Sequence, residues 1–480
     1  MLTPDYLKGI PESIVQTMVY DVEDFIIEDI ARRIRKMGTA TSTAEIQRLV
    51  LQSLGEGIES INKKIAKALK ITEKEVERIF AESLEIATDN QKVIAKKLGI
   101  PLNTEFAQRI SQAAVKSAMG DLTNLTRMSG FVTSNGQFTM WTDAYRHALG
   151  VAQMRVASGA VDYGTAIRQV LKSFTGRGLC SITYQSGRTI SLEAITRLCV
   201  INGVSDMASE VMKQNAEDLG TDGWEISAHI DCAPDHEGIQ GRQFTNEEYE
   251  ERNNNLARPI GALNCRHTAY PILLGISEPL YTKKQLEQMR QKNEKGFTYD
   301  GKHYTLYEAD QRQRYMERAI RKTKRELLLA DKAGYRDDFI STSVKLRKQR
   351  DIYADFSDRA GLLTQNERAQ VAGYGRRISG KAVVAEKSMR GIVTSDGIKT
   401  DITRHVLDRA KQRGISLKDV PDTLKNPLKI EDVKIDTQGR PSKKYIGRSA
   451  TVTVNPDNGN ITTCYPTSSK VTDKLKGKTK

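Results

Sequence analysis

Apolar residues recur at three- and four-residue spacing through most of the first 171 positions, the period of amphipathic helices. DVEDFIIEDIARRIRKMG carries such a stripe and ends on a glycine, as a capped helix does. TSTAEIQRLVLQSL opens on Ser and Thr with Glu close behind, a helix-start signal. ITEKEVERIFAESLEIATDNQKVIAKKLGI and TMWTDAYRHALGVAQMRVASGAVDYGTAIRQVLKSF continue in kind, the latter broken at Gly159 and Gly164. The texture changes near Gly176. SITYQSGRTIS alternates polar and β-branched residues around Ser186-Gly187, which predicts a hairpin. A long helix follows, capped by Ser191 and closed by Gly220. WEISAHIDCAPDHEGIQGRQF then reads as a short strand running into an irregular loop, and RPIGALNCRHTAYPILLGISEP as a second loop with one buried apolar run.

Charged helices return from about Tyr281 to Ala385, with many Glu/Arg pairs four residues apart. GRRISGKAVVAEKSMR is small, polar and basic, and reads as a linker. Beyond it the pattern gives a helix, a turn and a short helix. Three strands then follow, KIEDVKID, SKKYIGRSATVTVNP and NITTCYPTSS, with turns at Gly439-Arg440-Pro441 and Pro456-Asp457-Asn458-Gly459. The expected fold is mainly α in the N-terminal and middle regions, with a small α+β core, and a C-terminal α+β domain of helices packed on an antiparallel sheet. The expected divisions are 1–175, 176–280, 281–374, a linker at 375–390, and 391–480.

Charge sharpens this division. The formal net charge is +14, and from Gly391 to Lys480 there are 18 Lys and Arg against 10 Asp and Glu. A fifth of the chain thus holds more than half of the excess, which predicts a C-terminal unit that faces nucleic acid. The last residues, KVTDKLKGKTK, fit a solubilising basic tail equally well. The first residues, MLTPDYLKGI, lack the basic cluster and apolar run of a secretory signal. No stretch of about 18 uninterrupted apolar residues predicts a membrane span. Residence in a cytoplasm is the expectation, compatible with packaging into a particle.

Five cysteines make a disulfide framework unlikely in that setting. Cys180, Cys199 and Cys464 stand alone and read as small buried hydrophobes, and the solitary His147 reads as structural. His229, Cys232 and His236 fall within eight residues, and Cys265 and His267 follow in the next loop. Imidazole and thiolate are the donors that zinc prefers, and two local groups joined by a loop are a usual way to build a structural zinc site. Five candidates are present where four suffice. The competing reading is a polar loop whose histidines cap or bond the backbone. No nearby carboxylate stands out as a general base, which disfavours a catalytic metal.

These loops carry a resemblance. S-A-H-x4-P-x-H-E-G-x-Q-G-R-x-F, followed by R-P-I-G-x-L-N-C-R-H-x5-L-L-G, resembles the signature of the phage minor capsid protein 2 family, related to the Mu-F-like minor head proteins. RQRYMERAIRKTKRE is similar to that family's charged helix, and the similarity spans roughly residues 1–370. The resemblance implies a low-copy head component near the portal, with portal and capsid proteins as partners, acting in head assembly or DNA delivery. It implies residence in the virion, and in the host cytoplasm during assembly and after delivery. His229, His236, Cys265 and His267 match the family's recurrent polar residues. Where the family pattern has Arg before the Pro, this chain has Cys232-Ala233, which leaves open whether Cys232 or His229 completes a site.

At the C-terminus, His405 and Arg409 lie four apart on one helix face. Lys443, Lys444 and Tyr445 alternate along a strand, and Tyr465, Thr467 and Ser468 end the chain's last strand. An imidazole, cations and hydroxyls are the parts of a metal-independent ribonuclease, in which a base takes the 2′-hydroxyl proton and cations hold the phosphate. The plainer reading makes His405 a half-buried helix residue and the lysines surface charge. The stretch resembles phage-borne nucleases of the barnase/EndoU/colicin/RelE-like superfamily, through H-x3-R, NPLKI, D-x2-G-R-P-S-K-K-Y-I-G and Y-P-T-S. That resemblance implies a ribonuclease-type effector that needs no cofactor and takes RNA rather than DNA. It makes His405, Arg409, Lys444, Tyr445, Thr467 and Ser468 the catalytic candidates. The alternative is a purely structural head protein whose basic domain binds nucleic acid without cutting it.

Overall fold

The computed structural model describes residues 2–37, 43–132, 137–157, 179–183, 188–262, 265–371 and 373–476. The chain divides into two compact units, Met1–Arg318 with Ala354–Ala372, and Ala319–Tyr353 with Gly373–Lys480.

The first unit opens with two short helices, α1 (Pro4–Gly9) and α2 (Glu12–Val15). Pro4 sits at the first helical turn, where its missing N–H costs nothing, and the Thr3 side chain accepts from the Tyr6 N–H. A π-helical turn, Gln16–Tyr20, leads into α3 (Asp21–Met37). The two following helical patterns form a single helix, α4 (Thr43–Leu98), unbroken at Gly55 and Gly57. Its buried stripe, Ile61, Ala68, Val76, Phe80 and Ala87, packs with α5 (Thr104–Arg127) and with α7 (Leu192–Leu219). The expected caps of α7 are present: the Ser191 side chain accepts from the Ala194 N–H, and Gly220 is left-handed at φ 63°. Between α5 and α7 lie α6 (Trp141–Ala157) and an antiparallel sheet in the order β2 (Phe138–Met140), β1 (Ser129–Val132), β3 (Leu179–Thr183), β4 (Arg188–Ser191). β1 and β2 interrupt what the sequence presents as continuous helix. Gly130 permits the pairing, because a Cβ there would lie 2.2 Å from the Thr139 carbonyl oxygen. The expected turn at Ser186-Gly187 and the expected helix from 158 to 171 lie outside the described residues.

A second sheet sets up the loops rich in His and Cys. β5 (Gly223–Ile226) runs between β6 (Gln243–Thr245) and β7 (Ala269–Ile272), both antiparallel to it. Ile226, Ile239, Phe244 and Ala269 form its core, flanked by Trp224 stacked on Tyr249. Thr245 and Glu248 form a reciprocal capping box that starts α8 (Asn246–Asn254). Further on come α9 (Lys283–Lys295) and the hairpin β8 (Phe297–Tyr299) and β9 (Lys302–Tyr304). The long charged helices α10 (Leu306–Ala333) and α11 (Arg336–Arg359) each contribute residues to both units.

In the second unit, the segment expected as a linker is instead a helix, α12 (Arg376–Lys387). Ile378, Ala382 and Glu386 recur every four residues and are buried, and Asp331 accepts from Lys381 at 2.8 Å. The small polar composition concealed that stripe. A hairpin, β10 (Ile392–Val393) and β11 (Lys399–Thr400), precedes α13 (Arg404–Gln412) and α14 (Asp419–Lys425). The sheet has five strands where three were expected. β12 (Lys429–Ile430) and β13 (Lys434–Ile435) both pair with β14 (Pro441–Ile446), followed by β15 (Ala450–Val454) and β16 (Ile461–Pro466). SKKYIGRSATVTV is therefore two strands, joined by a turn closed from the Gly447 N–H to the Ala450 carbonyl at 2.8 Å. One face of this sheet presents Tyr445, Val452 and Cys464, in register, to Val406 and Ala410 of α13 and Leu424 of α14. Part of the presumed tail forms α15 (Ser469–Lys476).

Gly57 of α4 faces the fully buried Tyr145, whose hydroxyl donates to Asp29 at 2.6 Å. A Cβ on Gly57 would stand 1.9 Å from that hydroxyl. Gly57→Ala should therefore destabilise the protein by about 1–3 kcal/mol through overpacking. Urea unfolding of the full-length chain checks this, and an unchanged midpoint would contradict it.

Candidate functional site

The site begins at the end of β5. Gly241 lies at φ 67° and donates its N–H to the Ile226 carbonyl at 2.8 Å, which folds residues 227–240 back on themselves. His236 sits in a tight turn inside this loop, and Cys265 and His267 enter from the segment leading into β7. His236, Cys265 and His267 are all buried. His236 Nδ1 and His267 Nδ1 are 3.2 Å apart, and Cys265 Sγ lies 3.5 Å from the first and 3.4 Å from the second. These three atoms could hold one metal ion.

The far side of each ring fixes its tautomer. His236 Nε2 is 2.7 Å from the Arg258 carbonyl, which can only accept, so that nitrogen carries the proton. His267 Nε2 is 3.1 Å from Gln240 Oε1. The orientation of this amide is not arbitrary, because the backbone N–H of His229 donates to the same oxygen at 3.0 Å. Gln240 Nε2 in turn donates to Cys232 Sγ at 3.1 Å. Each ring thus commits its Nε2 to an outer partner and turns its Nδ1 toward the other ring and Cys265. Burial, then the nearby His229, His236 and Arg266, push the His267 pKa down to about 2. Burial also raises the Cys265 thiol above its usual range.

Of the five residues expected as metal ligands, three converge and two do not. The His229 ring stacks on His267 with centroids 4.4 Å apart, and its Nδ1 pairs with Asp231 at 2.9 Å. Cys232 is engaged by Gln240, and burial and the carboxylates of Glu237, Asp231 and Asp235 raise its pKa to about 12. Gln240, which orients His229, Cys232 and His267 together, is the residue that sequence reasoning passed over. It stands in the quoted H-E-G-x-Q-G-R string, but an amide carries no metal-ligand signal.

The three converging residues line a cavity of about 390 Å³. Its other walls come from α1, α2, α7, α10 and the turn at Arg368, and the whole lining holds seven Lys and Arg against five Asp and Glu. Asp310 is buried and bonded to Lys8 at 2.5 Å and to Arg314 at 3.1 Å. Glu12 receives Arg197 at 2.9 Å, and Asp231 receives Arg266 at 2.8 Å. Burial, opposed by Asp310 and reinforced by Arg368, Arg266 and Arg197, lowers the pKa of Arg314.

Of the C-terminal candidates, His405 and Arg409 meet, and Lys444 lies on the other face of the sheet. His405 is exposed on α13, beside the buried Val406 and Leu407, with Nε2 3.5 Å from Arg409 Nε. Lys444 is paired with Thr453 and is one residue from the core-facing Tyr445, so it projects from the opposite face of the sheet. The core of this unit lies between His405 and Lys444. Tyr445, expected as catalytic, is buried against the core and donates its hydroxyl to Asp396 at 2.8 Å. Thr467 bonds Thr451 at 2.9 Å, and Ser468 is exposed just before α15.

The sequence model of the family described as phage minor capsid protein 2 matches residues 2–358. The chain belongs to this family. No curated protein matches it, and no solved structure does. The matched span of this phage minor capsid protein includes the whole Cys/His cluster and ends before α12. Among the described residues, no helix is long and apolar enough to cross a membrane.

Asp396 ties the C-terminal sheet to its hairpin. Partial burial opposes its ionisation, but hydrogen bonds from Lys443, Thr394 and Tyr445 hold its pKa at about 2. An unfolded Asp titrates near 4. Asp396 therefore lends stability that is whole above about pH 4 and is lost as pH falls toward 2. Asp396→Asn should cost about 1 kcal/mol at neutral pH and almost nothing near pH 2. Urea unfolding across that range tests this, and a pH-independent difference would refute it.

Proposed function

We propose that this minor capsid protein is a structural, low-copy component of the phage head, placed by portal and capsid contacts near the path of the DNA. Its basic C-terminal unit, on this reading, holds nucleic acid without cleaving it. One observation carries the second half: His405 and Lys444 lie on opposite sides of the hydrophobic core. A single phosphodiester cannot meet both a base on the outer face of α13 and a cation on the outer face of β14. The excess of Lys and Arg after Gly391 supports electrostatic attachment, which needs no assembled active site.

The test uses the full-length chain with duplex DNA and single-stranded RNA, with and without chelator. Both should be retained at low salt and released steeply as salt rises, and both should stay intact. His405→Ala should bind as the parent does. RNA cleavage that persists in chelator and disappears in His405→Ala would restore the nuclease reading. Absence of retention at low salt would remove the nucleic-acid role.

A further inference from the structure

We infer that the cavity in the first unit is a zinc-centred site for a small phosphate-type oxyanion, with His236 Nδ1, Cys265 Sγ and His267 Nδ1 as ligands and the fourth position open to the cavity. The inference is independent of what the C-terminal unit does. It starts from the two fixed tautomers. Both Nε2 protons are committed, to the Arg258 carbonyl and to Gln240 Oε1, so both Nδ1 atoms are turned toward one point, 3.2 Å apart. The thiol of Cys265 has one proton and can satisfy only one of them. Three donor atoms around one point, each with an electron pair to give, describe a cation's coordination shell.

The donor set selects the metal. Two imidazoles and a sulfur suit zinc and exclude calcium and magnesium, which take oxygen. The carbonyl and amide on the far nitrogens are the outer partners that metal-bound histidines require. A fourth protein ligand is missing among the described residues, since Cys232 and His229 are held away by Gln240 and Asp231. Three protein ligands with one open position are the mark of a site that takes water or an exogenous ligand.

Charge names that ligand. Zinc bound with loss of the thiol proton to solvent adds one net positive charge to walls that already carry more cations than carboxylates. Arg314 keeps 30% of its side chain open although protein surrounds it, and it is crowded by Arg197, Arg266 and Arg368. Guanidinium groups converging beside a metal with an open position suit a phosphate group, which offers oxygens to both. A cavity of about 390 Å³ admits free phosphate or a small phosphomonoester and excludes a nucleic-acid duplex.

The full-length chain, exposed to excess zinc and desalted, should retain about one zinc per chain by elemental analysis. Cys265→Ala and His236→Ala should lose it. Cys232→Ala and His229→Ala should keep it. If the ligand variants fail to fold, cobalt loaded into the parent decides instead, through a thiolate-to-cobalt absorption band. Inorganic phosphate should shift the visible cobalt bands, and Arg314→Gln should weaken that response at least tenfold while retaining metal. An oligonucleotide without terminal phosphate should leave the bands unchanged. No zinc uptake, or uptake that depends on Cys232 and not on Cys265, overturns the metal assignment. Cobalt bands indifferent to phosphate, or shifted equally by the oligonucleotide, overturn the oxyanion assignment.

Discussion

Two imidazoles, each anchored at its outer nitrogen, are held so that their inner nitrogens meet beside a thiol at the wall of a cavity. The surrounding fold enforces this. β5 and β7 hold the two loops side by side, Gly241 reverses the first loop, and Gln240 locks His229, Cys232 and His267 with one amide. An unrelieved meeting of acceptors in a buried place is expensive. The proposed cation would turn that cost into a bond and join the turn containing His236 to the segment that enters β7.

Several other elements of the first unit enclose this point. The short N-terminal helices contribute Lys8 and Glu12, the long α7 contributes Arg197, and α10 contributes Asp310 and Arg314. These groups neutralise one another in pairs, with cations in slight excess. Buried ion pairs of this kind rarely add stability over apolar packing. Their retention around one cavity makes sense if a charged ligand is received there. The family match covers the cavity lining from Lys8 to Arg318 and ends before the C-terminal sheet.

The sequence made the helices legible because their apolar stripes are long: α4 and α7 could hardly be anything else, and Ser191 and Gly220 marked their own boundaries. It misled where composition outweighed period. GRRISGKAVVAEK looked like a linker because small, polar and basic residues dominate it, while the buried Ile378, Ala382 and Glu386 are too few to stand out. The single-strand reading of SKKYIGRSATVTV missed a turn because Gly447 is one glycine among polar neighbours, required by the nearness of Thr423. For the Cys/His cluster, residue type identified the neighbourhood and not the membership. Cys232 and His229 carry the same chemistry as Cys265 and His236, and only the hydrogen bonds of Gln240 and Asp231 separate them. The alternation rule placed Lys444 and Tyr445 on opposite faces from the start. Which face met α13 depended on packing that no local pattern encodes.

The family follows from the sequence match, and the proposed metal site from three converging donor atoms. X-ray absorption at the zinc edge of the full-length protein examines it directly. The expected shell is one sulfur at about 2.3 Å, two imidazole nitrogens at about 2.0–2.1 Å and one further light atom from solvent or ligand. A shell with two sulfurs, a shell of oxygens alone, or a protein without zinc would contradict it.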